Sequence, residues 1–306
     1  MIRLLALIPV LVMLLLPQGT YKAYLPLVTY SRIRRVGVES ERNWTYTIQY
    51  INRARPLKVS LYANRMITSN GIDWTYGDNK IGILDIDHLV IKGTPEHMLS
   101  PGEPVCKLPQ NEYWYDYAEF VQQAIDRYRP EYVSLYNEPD ASNTNVPEVL
   151  GCLGPDGGME YGLFFRYIYD RVEGAQMVAG NVSSVYGQFV TDMLDALDGY
   201  FDALGYHCYG GYYPGGYDNP CQTVYRYAKT LTDKPVIATE QGFIFKNWPV
   251  TPQKLETYEF YYYTFFQWAD SRNRRTYIYH LCGNGWPVGM PVDLCLYPMV
   301  YDEYRQ

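Results

Sequence analysis

The sequence predicts an α/β fold, a single-domain (β/α)8 TIM barrel with its second βα unit reduced. Short runs rich in Val, Ile, Leu and Tyr alternate with longer segments whose apolar residues recur at the helical period, which builds a parallel sheet. Eight such runs can be counted along the chain. Polar clusters follow the runs instead of interrupting them, as expected where the C-terminal ends of barrel strands hold the chemistry. An open doubly wound sheet is the alternative, and no Gly-x-Gly-x-x-Gly opens a helix to support it.

The elements follow in order. Residues 1–23 read as an export signal: Arg3, then the apolar run Leu4 to Leu16, then Pro17-Gln18-Gly19. That run is shorter than the roughly 20 residues a spanning helix needs. Cleavage after Ala23 would release the mature chain. Tyr21 fits badly where a small residue is expected, so an uncleaved N-terminal anchor is the alternative and the one membrane contact foreseen. Residues 24–33 read as a linker, and residues 34–306 as the barrel.

A first strand is expected at Arg35 to Glu39, a helix from Trp44 to Arg55, and a second strand from Leu57 to Ala63. The stretch from Met66 to Ile83 shows no helical period and looks too short for a full helix. A third strand at Leu89 to Gly93 breaks at Gly93-Thr94-Pro95. Tyr117, Phe120, Val121, Ala124, Ile125 and Tyr128 mark an amphipathic helix from Trp114 to Tyr128. The fourth strand begins at Tyr132 and runs into Asn137-Glu138-Pro139. Beyond it, helices are expected at 161–171, 188–197, 222–231 and 252–268, with strands at 176–179, 201–206, 235–240 and 276–280 between and after them.

Composition narrows the function. The 306 residues are 47% hydrophobic and 19% charged, enough for one large core. A net charge of −7 argues against a nucleic-acid partner. The 34 tyrosines each offer a flat apolar face with a polar tip, suited to barrel packing and equally to stacking on sugar rings. Six cysteines fit an exported, extracellular protein. Cys208 and Cys221 flank one Gly-rich loop and Cys282 and Cys295 another, which leaves Cys106 and Cys152 to each other. With no Cys-x-x-Cys pair and four histidines, no metal or other cofactor is expected, and the chain is read as a monomer.

Two segments share one shape. Tyr132 to Glu138 is a β-type run delivering a carboxylate before a proline, and Pro235 to Glu240 is an apolar run delivering a carboxylate before Gly242. Paired carboxylates in one pocket suit glycoside cleavage, where one carboxyl begins protonated and the other ionised. His207 and Tyr209 leave the sixth strand on one side, at the period of two, and are placed to orient the glutamates. Asn137 is a candidate sugar contact and Trp286 a candidate stacking platform.

Asn137-Glu138-Pro139 after the fourth strand, His207-x-Tyr209 after the sixth and Glu240 after the seventh resemble clan A glycoside hydrolases, retaining enzymes on (β/α)8 barrels. Gly93-Thr94-Pro95-Glu96, Tyr117-Ala118-Glu119-Phe120 and Gly151-Cys152 are similar to a secreted bacterial branch near the cellulases and family 39. The resemblance implies Glu138 as acid/base and Glu240 as nucleophile. It implies Asn137 against the sugar beside the cleaved bond and a hydrogen bond from Tyr209 to Glu240. Such enzymes often carry an arginine near the end of the second strand, where Arg65 is the nearest candidate, and a Trp where this chain has His97. The expected partner is therefore a polysaccharide or oligosaccharide. A barrel that binds glycan or builds surface structure without turnover is the alternative.

Overall fold

Strands β1 (Val36–Glu39), β2 (Leu57–Tyr62), β3 (His88–Lys92) and β4 (Tyr132–Leu135) pair in parallel with their sequence neighbours. Strands β5 (Gln176–Val182), β6 (Ala203–Tyr213), β7 (Val236–Phe245) and β8 (Thr276–Tyr279) continue the series. β8 then pairs in parallel with β1, with Val36 opposite Thr276 and Glu39 opposite Tyr279, so the eight strands close into a ring without an edge. This is the TIM barrel read from the sequence. The computed structural model describes residues 36–39, 57–81, 86–142, 147, 150–213, 216–218, 220–245 and 276–279.

Among the described residues, the helices of seven residues or more are α1 (Thr75–Ile81), α2 (Trp114–Tyr128), α3 (Gly158–Tyr169), α4 (Gln188–Leu197) and α5 (Pro220–Leu231). α2 shows why its sequence is helical. Tyr117, Phe120, Val121, Ala124 and Ile125 lie on one stripe and are all buried. Burying each large apolar side chain contributes about 1.5–3 kcal/mol. The helix stops where Arg129 turns left-handed at φ 50° and donates its N–H to Ile125 O (2.8 Å), with Pro130 next.

The core has two layers of different character. Between strands and helices it is apolar, from Val59 and Leu61 through Phe120 and Phe164 to Leu204. Inside the ring, Val178, Ala203, Ile237 and Tyr277 form a small apolar cluster with Tyr132 packed against it. The interior also holds polar groups: Lys58, His88, Ser134 and Asn181 are fully buried.

The structure alters several expectations. Residues 66–83 do contain a helix, α1, of seven residues, and the N–H of Thr75 donates to Asp73 Oδ1 (2.9 Å) at its start. Its Gly, Asn and Asp content hid it, and the second βα unit is indeed short. β6 does not stop at Tyr206 but runs to Tyr213 and folds back on Gly216–Asp218 as an antiparallel ribbon, so the Gly-rich segment is strand, not loop. β7 likewise passes through Gly242 to Phe245, because β6 extends beside it and keeps its backbone paired. β4, in contrast, ends at Leu135, before the carboxylate it was expected to deliver. The expected leader 1–23, linker 24–33, helices near 44–55 and 252–268, the Cys282–Cys295 pair and Trp286 lie outside the described residues. Among the described residues no helix is long and apolar enough to cross a membrane.

Candidate active site

Glu240 is set by the β6–β7 ladder. Ala238 pairs with Tyr206, and the next pair is Glu240 with His207, so Thr239 is an extra residue in a bulge. Without it the strand period would put Thr239 opposite His207 and turn Glu240 to the other face. Two residues further on, Gly242 pairs with Tyr209. A Cβ at Gly242 would lie 2.8 Å from Tyr209 Cε1, so only glycine leaves room for the ring. Tyr209 then reaches sideways, and its hydroxyl donates to Glu240 Oε2 (2.8 Å).

Glu138 is set differently. Tyr136 N–H still donates to Ile91 O (2.7 Å), but its φ is 63° and that of Glu138 is 48°. Left-handed backbone costs a non-glycine residue roughly 1–2 kcal/mol and persists only where the surroundings enforce it. They do so from β5. Gly180 and Asn181 form a bulge there, Asn181 itself at φ 54°. Glu138 N–H donates to Asn181 O (2.9 Å), and Asn181 Nδ2 donates to Tyr136 O (3.3 Å). Beneath, Ser134 Oγ donates to Asn181 Oδ1 (3.3 Å) and meets His88 Nε2 at 2.6 Å. A Cβ at Gly205 would lie 2.5 Å from Asn181 Oδ1, so β6 is glycine there too. Asp140 accepts from Ser183 N–H (2.9 Å), Ser183 Oγ (2.6 Å) and Ser184 N–H (3.1 Å), tying the same turn to the loop after β5.

The two carboxylates meet at one imidazole. His207 Nδ1 lies 2.8 Å from Glu138 Oε1 and 3.0 Å from Glu240 Oε2. One ligand atom from each of the three residues falls within 4.8 Å of the others. Burial of His207 disfavours its charged form, but the charge of Glu240 and hydrogen bonds to Glu138 and Glu240 outweigh it, and the imidazole pKa is held up at about 9. Nδ1 therefore carries a proton at neutral pH and donates it toward both carboxylates. Three convergent ligand atoms are also what a divalent cation needs. Here, however, they stand at hydrogen-bond distances from Nδ1, with positive charge already supplied by the imidazolium and by Lys58, whose Nζ is 3.8 Å from Glu240 Oε1.

Of the residues expected from sequence, Glu138, Glu240, His207 and Tyr209 thus come together, and Tyr209 makes the hydrogen bond to Glu240 that the resemblance implied. Asn137 adjoins them, buried, with no hydrogen-bond partner for its Oδ1 among the described residues. Cys106–Cys152 and Cys208–Cys221 are joined, each with a Cα separation of 5.3 Å. Arg65 is exposed, its guanidinium over the rings of Tyr62 and Tyr76. Lys58, on β2 itself, is a cation at Glu240. His97 is also exposed, edge-on to Tyr113. Sequence reasoning missed Lys58, His88 and Asn181. A signal existed: strands of a parallel sheet are usually apolar on both faces, yet Leu57-Lys58-Val59-Ser60 is polar at every second residue.

No protein-family model matches the chain, and no curated protein matches it. Among solved structures it is similar to a psychrophilic glycoside hydrolase family 10 endo-β-1,4-xylanase, at TM-score 0.58 and 12% identity, over 87% of this chain and 96% of the xylanase. It is similar to a GH5-4 broad-specificity endoglucanase from an uncultured bacterium, at TM-score 0.56 and 12% identity, over 89% and 93% of the two chains. A conserved exported protein from Bacteroides fragilis matches at TM-score 0.55 and 14% identity, over 77% of this chain but only 62% of that one. At such identities the likeness is one of fold.

Proposed function

We propose that this protein is an exported retaining glycoside hydrolase acting on the β-glycosidic bonds of a polysaccharide or oligosaccharide. The observation that carries the reading is the separation of the carboxylates, whose nearest oxygens share one N–H and lie within 4.8 Å. Retaining chemistry uses carboxyl groups about 5–5.5 Å apart, whereas inverting chemistry needs roughly 6.5–9.5 Å to admit a water. Xylanase and endoglucanase barrels among the structural neighbours support the same direction.

In this reading Glu240 is the nucleophile. Its Oε2 accepts from Tyr209 and His207, and its Oε1 faces the Lys58 ammonium, all of which favour the ionised form. Glu138 is more open, its side chain 17% exposed against 3% for Glu240, as suits the group that meets the leaving oxygen and later a water. His207 holds the proton that Glu138 needs at the start. Passing Nδ1–H to Glu138 leaves a neutral imidazole and a protonated acid, and the proton count is unchanged. Glu138 then protonates the departing oxygen as Glu240 bonds to the anomeric carbon. With the charge of Glu240 cancelled by that bond, Glu138 takes a proton from water, which attacks the glycosyl-enzyme and restores both groups. The Oδ1 of Asn137, buried beside Glu138, accepts from a sugar hydroxyl next to the cleaved bond.

The test is a panel of aryl β-glycosides and β-glucan, xylan and mannan oligosaccharides, with the first-formed anomer followed by proton NMR and Glu240→Gln as control. The reading expects the β-anomer to appear first. Early α-anomer refutes retention. No turnover on any member returns the chain to the class of non-catalytic glycan-binding barrels.

A further inference from the structure

Glu138 sits past the end of its strand, and something outside the barrel has to hold it there. Gly151 N–H donates to Asn137 O (2.6 Å) and Leu153 N–H donates to Pro139 O (3.1 Å). Those two donors flank Cys152 in the chain, and those two acceptors flank Glu138. Segment 151–154 therefore lies along 137–141 as a short parallel clip with Cys152 opposite Glu138, and Gly154 N–H donating to Ala141 O (3.0 Å) extends it. The approach is close: a Cβ at Gly151 would lie 2.6 Å from Pro139 Cα and 3.2 Å from Glu138 O.

The clip is tied at its far side. Cys152 is bonded to Cys106 in the loop after β3, across 46 residues of sequence, and both are buried. The neighbours of Cys106 are fixed in turn. Val105 O accepts from Thr94 N–H (2.7 Å), and Lys107 O accepts from Thr94 Oγ1 (2.5 Å) and from the hydroxyl of Tyr136 (3.0 Å). Tyr136 is the other left-handed residue of the Glu138 turn. One covalent bond thus closes a circuit from the end of β3, through Cys106 and Cys152, to the backbone on both sides of Glu138.

We propose that Cys106 and Cys152 are positioning residues for the acid/base: their disulfide braces the turn that carries Glu138 against His207, while the Glu240 side of the site does not depend on it. This deepens the glycosidase reading and rests on it for its kinetic signature, though not for its spectroscopic one. Cutting the brace displaces Glu138 from the position in which it delivers and removes protons, and a misplacement near 1 Å can cost about 100-fold in rate.

The experiment compares wild type with Cys106→Ala/Cys152→Ala and with Gly151→Ala, which crowds the clip and leaves the disulfide in place. On aryl β-glycosides with poor leaving groups, kcat is expected to fall about 10–100-fold with KM little changed. Azide, which needs no general base, should restore part of the turnover of good-leaving-group substrates. In selectively labelled protein the His207 resonance should titrate lower than in wild type by about one pH unit, since one of its two carboxylate partners has withdrawn. Circular dichroism checks that each variant is folded, and if the double variant is not, Gly151→Ala carries the test alone. Unchanged kcat and unchanged His207 titration in a folded variant overturn the proposal, as does a loss of rate that azide does not relieve. If wild type itself turns over no glycoside, the functional reading fails while the His207 titration still decides the brace.

Discussion

Glu240 and Glu138 reach the same imidazole nitrogen from opposite kinds of backbone. Glu240 stands inside a strand ladder, directly after the Thr239 bulge, with Ala238 paired to Tyr206 before it and Gly242 to Tyr209 after it, and its partners His207 and Tyr209 come from the neighbouring strand. Glu138 stands three residues beyond the last residue of β4, at φ 48°, held by a bulge on β5 and by the 151–154 clip. The difference matches the work proposed for each. A nucleophile must be fixed, ionised and aimed at one carbon. An acid/base must meet an oxygen of the departing group and then a water, and it occupies the more exposed position. Changes in the sheet should therefore disturb bond formation at the anomeric carbon, and changes in the loops should disturb proton transfer.

The largest effect should come from the sheet side. Glu240→Ala is expected to lower turnover of every β-glycoside by about 10⁴-fold or more, with no glycosyl-enzyme visible by intact mass. Glu138→Ala should cost about 10²–10⁴-fold for poor leaving groups and far less in the first step for activated aryl glycosides. With those substrates the glycosyl-enzyme should accumulate and be seen as added mass. Equal losses for both variants across all leaving groups would erase the division between the two regions.

Stability separates the regions too. Lys58→Met removes a fully buried cation from the Glu240 side and should cost roughly 3 kcal/mol in urea unfolding, because a buried carboxylate loses compensation. His207 links both sides. Its pKa is raised from 6.5 to about 9, so the imidazolium's contribution is fully present below pH 6.5 and is lost as pH rises through about 9. Urea midpoints should fall across that window by the equivalent of about 2–3 kcal/mol, and His207→Gln should flatten the dependence. The smallest effect is Tyr209→Phe, which removes one hydrogen bond to Glu240 Oε2 and should cost about 1–2 kcal/mol of transition-state stabilisation, near 10-fold in rate.

The ladder side of this comparison was legible in the sequence and the loop side only in part. Alternating strands and helices announced the barrel, and α2 and α4 fall where their apolar periodicity places them, because a stripe of buried residues is a local signal. Glu138, His207, Tyr209 and Glu240 could be picked out because each follows or ends a β-type run. The bulge at Thr239 was not readable, since an inserted residue shows only when the register of the neighbouring strand is known. Nor was Asn181 as the partner of the Glu138 turn, a contact across 43 residues between two left-handed segments. Lys58 escaped for another reason. A lysine in a strand is usually placed at the surface, and only the closed barrel puts it against a carboxylate from β7.

The assignment of roles is tested most directly by the anomeric configuration of the azide products. Glu138→Ala, given an activated aryl β-glycoside and sodium azide, should release the β-azide, because azide intercepts a glycosyl-enzyme already formed on Glu240. Glu240→Ala, given a β-glycosyl donor and azide, should yield the α-azide or no azide product, because azide can then act only in place of the missing nucleophile. An α-azide from Glu138→Ala together with a β-azide from Glu240→Ala would contradict the account and exchange the two glutamates.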